Sequence, residues 1–211
     1  MFCAIVHHME QNIEVEIRGA LTKEQHENLT AFLREHGIEK EIKRRIFIDY
    51  STFLPDGGIK DRQKDIRVRV TNEVPEIVIK LGSWGGTDTR KELTFKGEKG
   101  KFDTLVEMFK EIGLTKGILG KRIITAFDFK GIEFALHEIP GHSYFFEAEK
   151  MASSQEDVSK IKEEITQLCQ GLNLTPFSQE GFYQYIEQLN AEANMVFNAQ
   201  ADMDFKELFK I

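Results

Sequence analysis

Charged and apolar side chains alternate in short segments through the first 150 residues, and this pattern constrains the fold more than any other feature. In residues 12–18, Glu14, Glu16 and Arg18 fall on one face of an extended strand, while three aliphatic side chains fall on the other. Two carboxylates two positions apart suit a hard divalent cation, but a strand with a charged solvent face gives the same pattern. The later segments are needed to choose between the two interpretations.

Eight segments rich in Ile, Val and Phe are predicted to be strands, because each alternates in polarity and is bounded by turn residues. They span residues 12–18, 45–50, 66–70, 77–81, 90–95, 122–129, 132–138 and 144–149. Apolar stripes and capping residues predict five helices, at 22–37, 101–112, 153–171, 178–190 and 202–210. We expect one α+β domain over residues 9–211, with a helical tail at 153–211 packed on the sheet and a disordered start at 1–8.

The later strands repeat the division into an ionic and an apolar face. The ionic faces carry, in chain order, Arg67, Arg69, Lys80, Arg90, Glu92, Glu133, His137, Glu147 and Glu149. A sandwich with one apolar core does not explain so many ionic faces, whereas an open sheet with one wet side and a closed barrel with an ionic lumen both do. Because the apolar helices must be buried against the apolar strand faces, and closure removes sheet edges, the pattern favours the barrel.

The composition argues against several classes of protein. With a net charge of −7 over 211 residues, the chain is not suited to broad binding of nucleic acid. No apolar run approaches the ~20 residues of a membrane span, and residues 1–8 are too short and too weakly apolar for a signal peptide. Since Cys3 and Cys169 form no metal-binding or disulfide pattern, we expect a cytoplasmic protein.

A lumen that contains this many charges needs a ligand to balance them. Buried charges are costly unless they are paired. Arginine binds phosphate oxygens in two-point contacts, and lysine acts as a point charge. Mg²⁺ takes a few carboxylates from the protein and its other oxygens from phosphate and water. A triphosphate with Mg²⁺ or Mn²⁺ therefore satisfies both kinds of charge, whereas a solvated sheet face with scattered salt bridges is the alternative that needs no ligand.

Several motifs occur in a fixed order over roughly residues 10–190. They are Glu14-x-Glu16-x-Arg18, Arg67-x-Arg69, Lys80, Arg90-x-Glu92, Lys121-Arg122, Phe145-x-Glu147-x-Glu149 and Tyr183-x-Tyr185-Ile186. The first resembles the Glu-x-Glu-x-Lys signature of the CYTH superfamily, the triphosphate tunnel metalloenzymes, and the motif that begins at Phe145 resembles its closing Phe-x-Glu-Ile-Glu strand. The ordered set as a whole resembles this family.

The resemblance implies an eight-stranded antiparallel β-barrel, the triphosphate tunnel, that acts on a triphosphate compound with Mg²⁺ or Mn²⁺. It implies metal binding by Glu14, Glu16, Glu147 and Glu149. It implies substrate binding by Arg67, Arg69, Lys80, Arg90 and Arg122. The positions that would be catalytic are Glu14, Glu16, Arg18 and His137.

Three departures from the family pattern affect this chemistry. Arg18 stands where the family usually has Lys, and because arginine does not give up its proton in a protein, it retains a phosphate-binding role only. His137 stands where the family usually has Asp, and it offers a metal ligand or a proton acceptor, although a lone His on a strand is more often structural. His142-Ser143 replaces Leu-Gly in the last turn.

We expect metal-dependent hydrolysis of a triphosphate compound, which could be inorganic tripolyphosphate, a nucleoside triphosphate such as ATP, or thiamine triphosphate. Hydrolysis is favoured because it needs the tunnel and no base-recognition pocket. A class IV adenylyl cyclase, which converts ATP to cyclic AMP and pyrophosphate, is the second interpretation. Arg18 and His137 keep open a non-catalytic nucleotide or polyphosphate sensor. The sequence also leaves open an open-sheet interaction protein without a ligand, and a homodimer.

Overall fold

The computed structural model describes residues 13–55, 57–60, 62–85 and 87–201. Two predictions, the disordered start at residues 1–8 and the helix at 202–210, lie outside the described residues. The described elements form one antiparallel sheet of nine strands with helices packed against it. Within the described part of the chain, no helix combines the length and the apolarity needed to cross a membrane.

Eight of the strands close into a ring. In chain order they are β1 (Ile13–Leu21), β2 (Ile38–Asp49), β3 (Lys64–Thr71), β4 (Val74–Leu81), β5 (Thr87–Lys96), β6 (Lys116–Phe129), β7 (Ile132–Ile139) and β8 (Ser143–Ala152). Around the ring the order is β2, β3, β4, β5, β1, β8, β7 and β6, and β6 pairs with β2 to close it. Each neighbouring pair is antiparallel, which confirms the predicted α+β fold with an eight-stranded, barrel-like tunnel.

Four helices flank the ring within the described residues: α1 (Lys23–His36), α2 (Phe102–Glu111), α3 (Val158–Gly171) and α4 (Gln179–Glu192). Helix α1 begins with the predicted capping box, in which the side chains of Thr22 and Gln25 each accept a hydrogen bond from the other's backbone N–H. The predicted start of α3 at Ser153 is wrong. Ser154 and Asp157 instead form a turn ahead of the helix, closed by a hydrogen bond between their side chains.

The strand segments that the sequence patterns missed include the first half of β2 and the whole of β9. Strand β2 begins at Ile38 rather than at residue 45, because its first half is mostly charged and exposed and so has no apolar alternation. Pairing with β6 holds this half in place, across a bulge between Glu39 and Glu41. The ninth strand, β9 (Met195–Asn198), pairs with the start of β6 and buries only Phe197. In both cases pairing with a strand distant in sequence determines the structure. The local sequence pattern does not indicate this pairing.

The apolar strand faces point outward, where helices cover them. Val15, Ile17 and Phe146 pack beneath α3 and α1, in a cluster with Ile165 and Leu33. On another part of the ring, α2 packs in the same way against β3 and β4. Because side chains alternate along a strand, the charged faces of the same strands point into the lumen.

Helix α4 crosses one end of the lumen instead of covering an apolar strand face. Leu189 is buried against Ile139 and Phe145 at the end of the β7–β8 hairpin. The Tyr183 hydroxyl donates to the carbonyl of Trp84 at 2.9 Å, which ties the first turn of α4 to the loop between β4 and β5. The helix therefore closes one mouth of the tunnel.

Candidate functional site

The inward strand faces bring most of the predicted charged residues into one lumen. The pairing of β1 with β8 places Glu16 opposite Glu149 and Arg18 opposite Glu147. A cavity of about 120 Å³ lies inside the ring, beneath α4. The charged residues and the histidine that line it are Arg18, Arg45, Asp49, Arg62, Arg67, Arg69, Lys80, Arg122, His137 and Glu147.

Three of the predicted metal ligands form a compact acidic cluster. Carboxylate oxygens of Glu14, Glu16 and Glu149 all lie within 4.8 Å of one another. Glu16 Oε1 is buried and has no hydrogen-bond partner among the described residues. Burial raises the pKa of Glu16 well above its usual value, and the charges of Glu147 and Glu14 add to the shift while Arg18 opposes it. Burial and Glu14 raise the pKa of Glu149 in the same way. An oxygen-ligated divalent cation fits this donor set.

The acidic cluster lies behind the cavity wall rather than in it. Lys80 and Arg18 line the cavity, and each is bound to a member of the cluster. Lys80 Nζ lies 2.5 Å from Glu14 Oε2 and 3.0 Å from Glu92 Oε2. These carboxylates raise the pKa of Lys80 in spite of burial, which lowers it. Lys80 therefore remains charged and separates the cluster from the open cavity.

Arg18, predicted as a catalytic position, is bound by acceptors on all sides. Its guanidinium lies 2.5 Å from Glu16, 2.6 Å from Asp88 and 3.0 Å from Glu147, and it also donates to the carbonyl of Gly85 at 2.7 Å. Its pKa is raised well above the usual value, because the three carboxylates outweigh the effect of burial. This arrangement fixes the orientation of Glu16 and Glu147.

Glu147 and His137 form a pair on the cavity wall. His137 Nε2 lies 2.9 Å from Glu147 Oε2, and its ring stacks on Phe145 with 4.1 Å between centroids. Burial lowers the pKa of His137, although Glu147 opposes the shift. Within the described part of the chain, His137 Nδ1 is buried without a hydrogen-bond partner. The fourth predicted metal ligand, Glu147, is thus engaged by His137 and Arg18 and lies outside the three-carboxylate cluster.

Two arginines on the cavity wall make no ion pair with a carboxylate among the described residues, although the charge of Glu147 acts on both. Arg122, which was predicted, donates to the Lys121 carbonyl at 2.7 Å and lies 4.9 Å from the Phe47 ring centroid. Arg45, which was not predicted, donates to Thr71 Oγ1 at 3.0 Å. The pKa of each guanidinium is lowered to about 10, mainly by burial, with smaller contributions from Arg69 and Arg67 for Arg45 and from Arg67 for Arg122. A pair of cations without a directly bound carboxylate is a favourable place for an anion.

The other predicted substrate-binding arginines already have carboxylate partners. Arg67 donates to Asp65 Oδ2 at 2.9 Å, and Arg69 donates to Glu76 Oε2 at 2.5 Å; both arginines line the cavity. Arg90 lies between Asp65, at 2.6 Å, and Asp88, at 2.9 Å, and is not among the residues that line the cavity. Its side chain is 1% exposed, so this geometry is that of a structural ion pair.

Arg62 and Trp84 hold the loops at the mouth that α4 closes. Arg62 is 1% exposed and donates to Asp49 Oδ2 at 2.8 Å and to Asp65 Oδ1 at 2.9 Å. Its guanidinium centre lies 4.1 Å from the centroid of the Trp84 ring, which also contacts Phe182 edge to face. Trp84 is therefore a packing anchor between two loops and α4.

Sequence reasoning missed Arg45 and Arg62 for different reasons. Side chains alternate between two faces along the strand predicted at residues 45–50. Arg45 could therefore have been assigned to the same face as Phe47 and Asp49. Arg62 lies in a loop with no periodicity, and its role depends on carboxylates from β2 and β3. No pattern in the sequence identifies a contact of that kind.

No family model matches this chain, and no curated protein matches its sequence. Solved structures share its fold. A Pyrococcus horikoshii protein superposes with a TM-score of 0.65 at 20% identity, over 85% of this chain and 99% of its own. A candidate adenylate cyclase from Vibrio parahaemolyticus gives 0.63 at 15% identity, over 84% and 98%. A Hippeastrum protein, described as a candidate adenylyl cyclase with a dominant triphosphatase activity, gives 0.51 at 15%, over 82% and 95%. At these identities the likeness establishes the fold alone.

Proposed function

We propose that this chain is a CYTH-type triphosphate tunnel enzyme that hydrolyses a triphosphate compound with the help of a divalent metal ion. The observation that carries the proposal is the presence, inside one ring of strands, of a largely buried carboxylate cluster and of arginines that make no ion pair with a carboxylate of the described residues. The cluster suits a cation, and the arginines suit a multiply charged anion. The descriptions of the Vibrio and Hippeastrum proteins, which share the fold, support the same class of activity.

Glu14, Glu16 and Glu149 would hold the metal, since they are the cluster whose oxygens lie close together. Oxygen donors of this kind favour Mg²⁺ or Mn²⁺. The chemistry that a divalent ion bound there would supply is charge neutralisation and polarisation of a phosphoryl group. Arg18 would act as a positioning residue, because its hydrogen bonds hold Glu16 and Glu147 and leave it little capacity for phosphate.

Arg45 and Arg122 would bind the phosphate oxygens, flanked by Arg67 and Arg69 on the same wall. A guanidinium with no carboxylate beside it gains a charge-assisted hydrogen bond without breaking one. Lys80 would exchange one of its carboxylate partners for a phosphate oxygen, because it lies between the cluster and the cavity. The substrate would therefore lie in the cavity against these arginines, with Lys80 between it and the acidic cluster.

His137 is the proposed acceptor of the proton that the attacking water loses. Its lowered pKa keeps the imidazole neutral near pH 7, and Glu147 fixes the ring at one nitrogen. Positioning and charge neutralisation account for most of the expected catalysis, as phosphoryl transfer requires little covalent work from the protein.

Adenylyl cyclase activity is the second candidate, favoured by the descriptions of two proteins that share the fold. In that reaction the ribose 3′-hydroxyl of ATP attacks the α-phosphate, and pyrophosphate leaves. The same walls would bind the nucleotide. The two activities differ in their products.

The test is to incubate the protein with tripolyphosphate and, separately, with ATP, each with Mg²⁺ or Mn²⁺, and to resolve the products by chromatography. Glu16→Gln removes one charge from the acidic cluster and nearly preserves its shape. Glu163→Gln, on the exposed side of α3, is the matched control. We expect orthophosphate from the wild type and the control, with at least a tenfold loss in Glu16→Gln.

Cyclic AMP and pyrophosphate from ATP would establish the cyclase instead. Binding of tripolyphosphate without any product would identify a non-catalytic sensor. If neither compound binds or reacts, the proposal is wrong.

A further inference from the structure

One buried carboxylate inside the ring, that of Asp88, takes no part in the proposed binding of metal or phosphate. Asp88 is the second residue of β5 and is 2% exposed. The pairing of β1 with β5 places it directly opposite Glu16, a member of the acidic cluster. Like charges in directly opposed positions repel each other, so this pair needs a cation between its members. Arg18 supplies that cation, since its guanidinium contacts both carboxylates.

The guanidinium of Arg18 divides its donors between two sides. On one side, Nη1 donates to Asp88 Oδ2 at 2.6 Å and to the carbonyl of Gly85 at 2.7 Å. On the other side, Nη2 donates to Glu16 Oε2 at 2.5 Å, and Nε donates to Glu147 Oε1 at 3.0 Å. Because the guanidinium is planar and rigid, the directions of these bonds are linked. The position of Asp88 therefore affects where Arg18 holds Glu16 and Glu147.

Asp88 is itself held in place by the loop between β4 and β5. Its Oδ1 accepts from the Gly85 N–H at 2.6 Å, so the same glycine binds Asp88 through its N–H and Arg18 through its carbonyl. Arg90 Nη2 lies 2.9 Å from Asp88 Oδ2 and brings a second cation to the carboxylate. With these contacts Asp88 is a fixed anchor for Arg18.

The way in which Arg18 binds Glu16 leaves one carboxylate oxygen available for a cation. Arg18 Nη2 binds Oε2, whereas Oε1 is buried and receives no hydrogen bond from the described residues. Without the charge of Asp88, two of the three carboxylate partners of Arg18 would remain, Glu16 and Glu147. Coulomb attraction would then draw the guanidinium towards the acidic cluster, where it would compete with a divalent ion.

We propose that Asp88 is a positioning residue of the metal site, which keeps Arg18 on one oxygen of Glu16 and leaves the other oxygen for the cation. The inference rests on the proposed function and extends it, because it makes the affinity for the divalent ion depend on a residue that is not a ligand. Asp88 lies on β5, whereas the proposed ligands lie on β1 and β8. Replacing a residue that orients a metal ligand commonly costs about 10- to 100-fold in metal affinity.

The test is calorimetric titration of Mn²⁺ alone into the full chain, which measures metal binding without turnover. Asp88→Asn nearly preserves the shape of the side chain and an acceptor for the Gly85 N–H, but removes the charge that anchors Arg18. We expect the dissociation constant for Mn²⁺ to rise about 10- to 100-fold. Tripolyphosphate is added to all samples if the wild type binds Mn²⁺ only in its presence.

Asp65→Asn is the matched control, because it removes a carboxylate of equal burial from the same ring. Asp65 contacts Arg62, Arg67 and Arg90 rather than Arg18. We expect it to lower the free energy of unfolding while the dissociation constant for Mn²⁺ stays close to that of the wild type. Urea denaturation of both variants measures the structural cost separately from the loss of metal binding.

A double variant, Arg18→Gln with Asp88→Asn, shows whether Asp88 acts through Arg18. We expect it to bind Mn²⁺ with the same dissociation constant as Arg18→Gln alone. A further loss in the double variant would mean that the charge of Asp88 acts on the ion directly, and would overturn the inference. The same comparison decides the question if Asp88→Asn alone does not fold.

Two other results would overturn the inference and leave the proposed function intact. One is wild-type affinity for Mn²⁺ in Asp88→Asn, and the other is an equal loss of affinity in Asp65→Asn. If the wild type binds Mn²⁺ neither alone nor with tripolyphosphate, the proposed function itself is wrong.

Discussion

Buried arginines in this lumen fall into two groups that differ in their carboxylate partners. Arg18 and Arg90 are enclosed by carboxylates and have the geometry of structural ion pairs. Arg45 and Arg122 have no carboxylate beside them in the described chain, and burial lowers the pKa of each to about 10. Residue type alone does not separate the groups, so the sequence predicted a phosphate-binding role for Arg90 and Arg122 alike.

The presence or absence of a carboxylate partner predicts that substitutions of the two kinds of arginine differ in their effect on stability. Arg122→Gln removes a buried charge that lacks a counterion, so we expect the free energy of unfolding to stay constant or rise. The same change should weaken binding of tripolyphosphate about 10- to 100-fold, the equivalent of a charge-assisted hydrogen bond. Arg18→Gln should instead lower the free energy of unfolding by about 3–5 kcal/mol, because it leaves buried carboxylates unpaired.

Urea denaturation and calorimetric titration of both variants measure the two quantities. The exposed Arg34→Gln, on α1, serves as the control. Equal destabilisation by Arg122→Gln and Arg18→Gln would contradict the division into two groups.

Asp65 is a buried anion that three arginines share. It is 1% exposed and contacts Arg62, Arg67 and Arg90. These guanidinium groups hold its pKa well below the usual 3.8, in spite of burial, which raises it. We expect Asp65→Asn to cost about 3–5 kcal/mol at pH 7, because three buried cations lose their shared anion.

The pH dependence of that cost has a definite sign. A depressed pKa stabilises the fold above the ordinary value of 3.8, and the contribution is lost as the pH falls from there towards the folded-state pKa. The difference in unfolding free energy between wild type and Asp65→Asn should therefore stay constant above about pH 5 and shrink below 3.8. Urea denaturation across that range measures it, and a difference that grows in acid would refute the assignment.

At the scale of elements, strands with one face under a helix and the other in the lumen were easier to predict than strand segments without these two environments. Strands such as β1 and β8 alternate in polarity because one face lies under a helix and the other in the lumen. The first half of β2 and all of β9 lack this contrast, since they lie at the margin of the sheet and are largely exposed. Their position depends on pairing with β6, which only the folded structure reveals.

Helix α4 is held over the tunnel mouth by few buried contacts, and Leu189 is the most buried of them. It is 1% exposed and packs on Ile139 and Phe145. We expect Leu189→Ala to lower the free energy of unfolding by about 2–5 kcal/mol, measured by urea denaturation. Met108→Ala, at a position that is 57% exposed on α2, should change it by less than about 0.5 kcal/mol. Similar effects of the two substitutions would mean that α4 is not packed as described.

For the whole molecule, the closed ring and its ionic interior could be predicted because so many ionic strand faces leave few alternatives. The roles of the individual charged residues inside the lumen could not be predicted, because they depend on which carboxylate lies beside which cation. Glu147, for example, was predicted as a metal ligand, but its oxygens contact His137 and Arg18. The order of elements does not determine distances of this kind.

Calorimetric titration of tripolyphosphate into the protein, with and without Mg²⁺, tests the central claim most directly. We predict binding that requires the metal in the wild type and a loss of at least about tenfold in Glu16→Gln, since that change removes a proposed metal ligand. The control Glu163→Gln should behave as the wild type. Metal-independent binding that Glu16→Gln leaves unchanged, or no binding at all, would contradict the account.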